Sequence, residues 1–270
     1  MSESGKPGRV LIVAGSDSGG GAGIQADIKS VTALGGFAMT AITALTAQNT
    51  TGVYGVVPVE PNFIEQQMRL VLDDIGADCL KTGMLHSSAV IETVVDVLAD
   101  IAPDLPLVAD PVMFAKGGHA LLEPEAMDAL RGRLVPRAHV VTPNIPEAEA
   151  LAEMKIAGVE DMKAAGEVIR ALGAAAVLVK GGHLEGETLI DVLVTSDGVE
   201  LFHDQRIDTK HTHGTGCTLA SSLAAGLAAG MGMTEAVQRA RGYVRAAILA
   251  APGFGSGHGP MDHGHPLRRV

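Results

Sequence analysis

The sequence is short of cysteine, of basic charge and of long lipophilic spans, and each shortage closes off a class of protein. Its 270 residues hold two cysteines, Cys79 and Cys217, far apart and outside any C-x-x-C or zinc spacing. That excludes a disulfide framework and fits a reducing cytoplasm. Lys and Arg number 20 against 31 Asp and Glu, for a net charge of −11, and the cations are scattered. No basic face is available for nucleic-acid phosphates, so an anionic substrate must be held locally by helix ends, a metal ion and a few placed cations. The uncharged stretches 35–59 and 214–234 are not convincing membrane spans. The first carries Gln48, Asn49 and several threonines, the second is mostly Ala, Gly, Ser and Thr, and both read as buried core. Residues 1–9 are polar and lack the apolar core of a secretion signal. With no internal repeat or linker and 47% apolar residues, residues 1–270 read as one α/β domain.

What is present is alternation. The apolar run 9–14 predicts a strand buried on both faces, and 24–34 predicts an amphipathic helix with Ile24, Ile28, Val31 and Leu34 on one side. Between them lies Gly15-Ser16-Asp17-Ser18-Gly19-Gly20-Gly21-Ala22-Gly23, a sharp turn that is neither G-x-G-x-x-G nor G-x-x-x-x-G-K. It supports neither a dinucleotide fingerprint nor a phosphate-binding Walker loop. Asp27, near the helix start, reads from the residues alone as a carboxylate favoured by the helix dipole. A strand over 37–46 ends in a turn at Gln48-Asn49-Thr50-Thr51-Gly52.

Strand and helix patterns then repeat: 79–83 with 89–98, 107–110 with 126–134, 139–142 with 147–154, and strand 175–180 after helix 162–172. This spacing predicts parallel strands with crossover helices on both faces and a ligand at the strands' carboxyl ends. Those ends carry Gly83-Met84, Asp110-Pro111-Val112-Met113, Thr142-Pro143-Asn144 and Lys180-Gly181-Gly182-His183. A hairpin is expected over 189–194 and 199–202, a helix over 236–250, and a surface tail of alternating Gly and Pro with three histidines over 255–266.

The most informative stretch is Thr209-Lys210-His211-Thr212-His213-Gly214-Thr215-Gly216-Cys217-Thr218, where a glycine-punctuated loop enters an uncharged helix rich in Ala and Leu. The first N–H groups of such a helix lack intrahelical partners and the macrodipole makes that end positive, so an anion is expected at Gly214, Thr215 and Gly216. The same field favours thiolate, which makes Cys217 a candidate base or nucleophile with a lowered pKa. Cys217 also reads as a small buried cysteine of a packed helix.

This stretch resembles the C-terminal signature of the ribokinase-like superfamily, in the form found in the hydroxymethylpyrimidine/phosphomethylpyrimidine kinases of thiamine biosynthesis. Most sugar kinases of that superfamily carry an aspartate where this chain has Cys217. Ala47-Gln48-Asn49-Thr50, Lys180-Gly181-Gly182-His183 and Asn144-Ile145-Pro146-Glu147 are similar to further family segments, so the likeness covers nearly the whole chain. It implies an α/β ribokinase-like fold, a central mostly parallel sheet with helices on both faces. It implies ATP-dependent phosphorylation of 4-amino-5-hydroxymethyl-2-methylpyrimidine and then of its monophosphate, with Mg²⁺ as cofactor. Cys217 would take the hydroxyl proton while Gly214, Thr215 and Gly216 hold the transferring phosphoryl. Gln48, Asp27, Gly15, Met84 and Val112 would contact the pyrimidine, Lys180 and Asn144 the ATP, and Asp110 and Glu147 the metal. The resemblance implies a cytoplasmic homodimer whose partners are the pyrimidine and ATP. The alternatives are a pyridoxal kinase on the same scaffold and a non-catalytic pyrimidine sensor; the sensor has no use for Cys217 or Lys180.

Overall fold

A computed structural model describes residues 6–114, 121–184 and 186–268. The expectation of no secretion signal falls partly on residues 1–5, outside the described residues. The strands are β1 (Arg9–Asp17), β2 (Phe37–Asn49), β3 (Gly52–Pro58), β4 (Cys79–Thr82), β5 (Leu107–Ala109), β6 (Val140–Val141), β7 (Val177–Val179), β8 (Thr188–Thr195) and β9 (Gly198–Gln205). They form one sheet in the order β3-β2-β1-β4-β5-β6-β7-β8-β9. β2, β1, β4, β5, β6 and β7 run parallel, and β3, β8 and β9 add antiparallel edges. β1 takes a central place because its Val10–Ala14 run is shielded on both faces, which only a covered parallel strand permits.

Helices cover both faces. On one side lie α1 (Gly23–Ala33), α8 (Thr215–Ala228) and α9 (Met233–Leu249), whose Leu219, Leu223 and Val237 pack with Val10 and Ile12. On the other lie α2 (Pro61–Asp74), α3 (Ser88–Ile101), α6 (Ile145–Ala152) and α7 (Val159–Ala171), around Leu11, Val13, Met68 and Val94. Between α3 and α6 the chain coils through α4 (Met127–Ala129), a π-turn at Leu130–Leu134 and α5 (Val135–Arg137). Pro136 cannot donate to the preceding turn, which accounts for the widened coil where the sequence predicts a plain helix. No helix among the described residues is long and apolar enough to cross a membrane.

Three elements differ from the sequence reading. The strand expected to end near Thr46 continues to Asn49, and the turn after it opens a hairpin into β3, which the sequence reading lacks. α2 was likewise unread, although Pro61 at its first turn and Ile64 and Met68 at i, i+4 are helix signals. The tail, expected on the surface, folds back: Met261, Asp262 and His263 are buried, and His258 N–H donates to Thr50 O at 2.8 Å. Its order comes from backbone hydrogen bonds, from His263 Nε2 meeting Thr218 Oγ1 at 2.9 Å, from Asp262 Oδ1 accepting from Gly264 N–H and Arg268 Nη2 at 3.0 Å each, and from the Tyr243 hydroxyl donating to His263 O at 2.7 Å.

Candidate active site

The mouth of α8 is built from two loops that only glycine can bring this close. Gly214 caps the helix with φ 80°, and a Cβ there would stand 1.8 Å from Gly21 O. Gly21 belongs to the β1–α1 loop, which Asp17 organises. One Asp17 carboxylate oxygen accepts from Gly19 N–H at 2.7 Å, and the other accepts from Gly21 and Ala22 N–H at 3.0 and 2.8 Å and meets His213 Nε2 at 2.9 Å. Burial pushes the Asp17 pKa up, but His213 and the loop N–H groups outweigh it and leave it below the ordinary value. The buried tail braces the same corner, since His213 N–H donates to Gly259 O at 3.2 Å. α8 therefore presents its free N–H groups to a cleft of about 750 Å³ along the sheet's carboxyl edge.

Beside that mouth, Lys180 Nζ donates to Asp110 Oδ1 at 3.0 Å, and Thr142 Oγ1 donates to the same oxygen at 3.2 Å. A Cβ on Gly216 would lie 3.2 Å from Lys180 Nζ and 3.7 Å from Asp110 Oδ2, so bare backbone is what lets this pair reach the helix end. Asn144 and Glu147 form a reciprocal cap on α6: Asn144 Oδ1 accepts from Glu147 N–H at 3.0 Å, and Glu147 Oε2 accepts from Asn144 N–H at 2.8 Å. Burial pushes the Glu147 carboxyl up to about 7, Lys180 opposing and Asp110 adding. Burial likewise acts against the Lys180 ammonium, but Asp110 and Glu147 outweigh it and raise its pKa. Among the described residues no group of three or more His, Cys, Asp or Glu is placed to hold a metal ion unaided.

At the other end of the cleft stand Gly15, Gln48, Met84 and Val112. A Cβ on Gly15 would meet Met84 Sδ at 3.2 Å, so glycine keeps this floor open. Gln48 Nε2 donates to Thr46 Oγ1 at 2.7 Å.

Two expectations require correction. Asp27, expected against the pyrimidine, is fully buried and does not line the cleft. Its two oxygens accept from Lys81 Nζ at 3.0 and 2.9 Å, and Ser221 Oγ donates to it as well. An acid on the inner face of α1 finds its partner in the sheet, not in the ligand space. Cys217, expected with a lowered pKa, is instead pushed up to about 11 by burial, with Asp27 and Asp110 adding to the rise and Lys81 and the Gly23 N–H opposing it. The other expected residues, Gly214, Thr215, Gly216, Cys217, Lys180, Asn144, Asp110 and Glu147 included, line the one cleft.

The sequence reading missed Lys81, a lysine inside the apolar run of β4, and it missed an apolar end wall of Leu189, Ile207, Val244 and Ile248. Val244 and Ile248 stand at i, i+4 on α9, a signal that was available.

A mostly parallel sheet covered on both faces, with a glycine-framed helix mouth beside a lysine–aspartate pair at its carboxyl edge, defines a kinase of the ribokinase-like fold. A solved structure of Bacillus subtilis pyridoxal kinase in complex with ADP superposes with a TM-score of 0.90, at 38% identity, over 98% of this chain and 100% of that one. Residues 17–262 match the model of the phosphomethylpyrimidine kinase family. A hydroxymethylpyrimidine/phosphomethylpyrimidine kinase of Streptomyces coelicolor is 46% identical over 97% of this chain and 96% of its own length. The thiamine biosynthesis bifunctional protein ThiED of Geobacter sulfurreducens is 48% identical over 95% of this chain, which spans 52% of that longer protein. The chain belongs to the phosphomethylpyrimidine kinase family and is a phosphotransferase.

Proposed function

We propose that this chain transfers the γ-phosphoryl group of Mg-ATP to the hydroxymethyl group of 4-amino-5-hydroxymethyl-2-methylpyrimidine, and then a second phosphoryl to the monophosphate, in thiamine diphosphate biosynthesis. The observation that carries the reading is the α8 mouth: free N–H groups and Lys180 converge where a transferring phosphoryl gathers charge, within one cleft with Cys217 and Gln48. The Cys217 thiol first releases its own proton to solvent; the substrate oxygen then bonds to the γ-phosphorus, the bond to the bridging oxygen breaks, ADP leaves and the Cys217 thiolate takes the hydroxyl proton. Gly214, Thr215 and Gly216 cradle the phosphoryl, while Lys180 and Asn144 face the ATP phosphates. Gln48 offers donor and acceptor to the aminopyrimidine edge against Gly15, Met84 and Val112. The apolar end wall suits a nucleobase.

Asp110 and Glu147 fit Mg²⁺. They are two hard oxygen ligands on one cleft wall, too few for a closed cage, and this metal commonly keeps water and substrate phosphates as its remaining ligands. When bound, Mg²⁺ would neutralise phosphate charge. The proposal includes a cytoplasmic homodimer: both thiols are free, and the edge strand β3 leaves Tyr54 and Val57 exposed.

The likeness to pyridoxal kinase supports a second reading, in which pyridoxal occupies the Gln48 end. ADP release measured side by side with the pyrimidine and with pyridoxal decides between them. The first reading requires a clearly higher kcat/KM for the pyrimidine, and the reverse ratio would give the site to pyridoxal. Cys217→Ala should lose about a hundred- to ten-thousand-fold in turnover, the usual worth of a general base.

A further inference from the structure

At the apolar end of the cleft stands an ion pair that the reaction as described leaves unused. Asp191 of β8 and Arg241 of α9 both line the cleft, yet only 8% and 10% of their side chains are exposed. Arg241 Nε donates to Asp191 Oδ2 at 2.8 Å. Its Nη2 donates to Asp204 Oδ2 of β9 at 2.9 Å and to Phe202 O at 3.2 Å, and the guanidinium carbon lies 5.4 Å from the centre of the Phe202 ring. The other Asp191 oxygen, Oδ1, accepts from Gly181 N–H at 2.8 Å. As a stabilising device such a pair is weak, because desolvating two charges offsets most of their attraction.

Gly181 follows Lys180 in the chain, so the lysine's backbone is pinned on both sides. Its own N–H donates to Pro143 O at 2.8 Å, on the β6 side, and the next N–H is held by Asp191, on the β8 side. A Cβ on Gly181 would stand 1.8 Å from Ile190 O, so β8 closes directly on this corner and bare backbone is what lets Asp191 reach it. From the same corner the Lys180 side chain runs to Asp110 and to the Gly216 backbone at the α8 mouth. Arg241, Val244 and Ile248 are i, i+3 and i+7 on α9, so the arginine shares a helix face with the apolar end wall. We propose that Asp191, aimed by Arg241, is a positioning residue for Lys180. It fixes the strand end from which the ammonium reaches the ATP phosphates, and through Arg241 it ties that corner to the end wall on α9. The proposal rests on the reading of Lys180 as a phosphate contact. Neither Asp191 nor Arg241 touches a reacting atom. A displacement of about 1 Å in a catalytic constellation can cost about a hundredfold in rate, so a pair that adds little to folding can still matter to turnover.

The test is a double-mutant cycle read as kcat/KM for ATP. Asp191→Asn keeps the shape of the side chain but leaves Gly181 N–H and Arg241 Nε one oxygen between them. It should lower kcat/KM for ATP about tenfold or more and leave the pyrimidine KM unchanged, because Gln48 stands at the far end of the cleft. In a Lys180→Gln background the same change should cost no more than about twofold, since residues that act through one another are not additive. Equal losses in the two backgrounds, as a merely structural role would give, overturn the proposal, and so does an Asp191→Asn enzyme with wild-type kcat/KM. If Asp191→Asn fails to fold, Arg241→Lys carries the same cycle, because one ammonium keeps the charge but cannot hold Asp191 and Asp204 as the planar fork does. Lys180→Gln alone tells the two ideas apart: within about twofold of wild type it removes the phosphate role of Lys180 itself, whereas a large loss with an additive cycle removes Asp191 alone.

Discussion

At the end of β7 the Lys180 ammonium stands 3.0 Å from Asp110, with 14% of its side chain exposed. A solvated lysine leaving a buried strand would tolerate replacement, since exposed charges contribute little. One that meets phosphates in a narrow cleft would not. Lys180→Gln should lower kcat/KM for ATP by about a hundredfold or more, and Lys180→Arg should rescue poorly, because a planar fork does not replace a compact point charge. A Gln variant within about twofold of wild type would return Lys180 to a solvent role. Gln48 belongs to the opposite end of the cleft. Gln48→Ala should raise the pyrimidine KM by roughly the 1–3 kcal/mol of one lost buried polar partner and leave the ATP KM nearly alone; equal changes in both would move it out of the pocket. Lys180, Asn144 and Asp110 were legible in the sequence because each follows an apolar strand, and parallel sheets bind ligands there. The partner of Asp27 and the charge state of Cys217 were not, because burial by residues distant in the chain decides them.

Among elements, the C-terminal segment is where sequence reading fell short and where the fold makes a sharp demand. His263 is buried with its Nε2 2.9 Å from Thr218 Oγ1, on the first turn of α8. Burial lowers its pKa to about 4, Lys29 adding to the fall and Asp262 opposing. The folded chain thus resists a proton that the unfolded chain accepts near pH 6.5. The neutral form's advantage is complete above that pH and is lost as pH falls toward 4, at about 1.4 kcal/mol per unit. His263→Gln carries no such loss, so the stability gap between wild type and variant should narrow by about 2 kcal/mol from pH 7 to pH 5, read by urea unfolding. A gap that is constant over this range would place the imidazole in solvent. Nothing in the Gly, Pro and His composition announces the clasp, because its hydrogen bonds run to Thr50 and Ala247, far away in the chain. β3 escaped for a related reason: its residues are mostly exposed, so no buried face marks its period.

Over the whole molecule, the alternation of strand and helix was legible because a parallel sheet needs apolar runs and amphipathic crossovers, whatever the ligand. The same architecture gathers the cleft from both halves of the chain: Gly15 and Gln48 form one end, Leu189, Val244 and Ile248 the other, and Lys180 and Gly216 stand between. A ligand at either end ties together elements that must separate on unfolding, so each substrate should stabilise the fold on its own. At a hundred times its dissociation constant a ligand contributes about 2.7 kcal/mol. For a chain of this size that corresponds to a rise in Tm of roughly 5–10 °C. Mg-ATP and the pyrimidine should each produce such a rise in wild type. In Lys180→Gln the nucleotide response should collapse while the pyrimidine response persists, because Gln48, Gly15 and Met84 are untouched. Loss of both responses together would mean that Lys180 shapes the entire cleft, and the division into a phosphate end and a pyrimidine end would have to be abandoned.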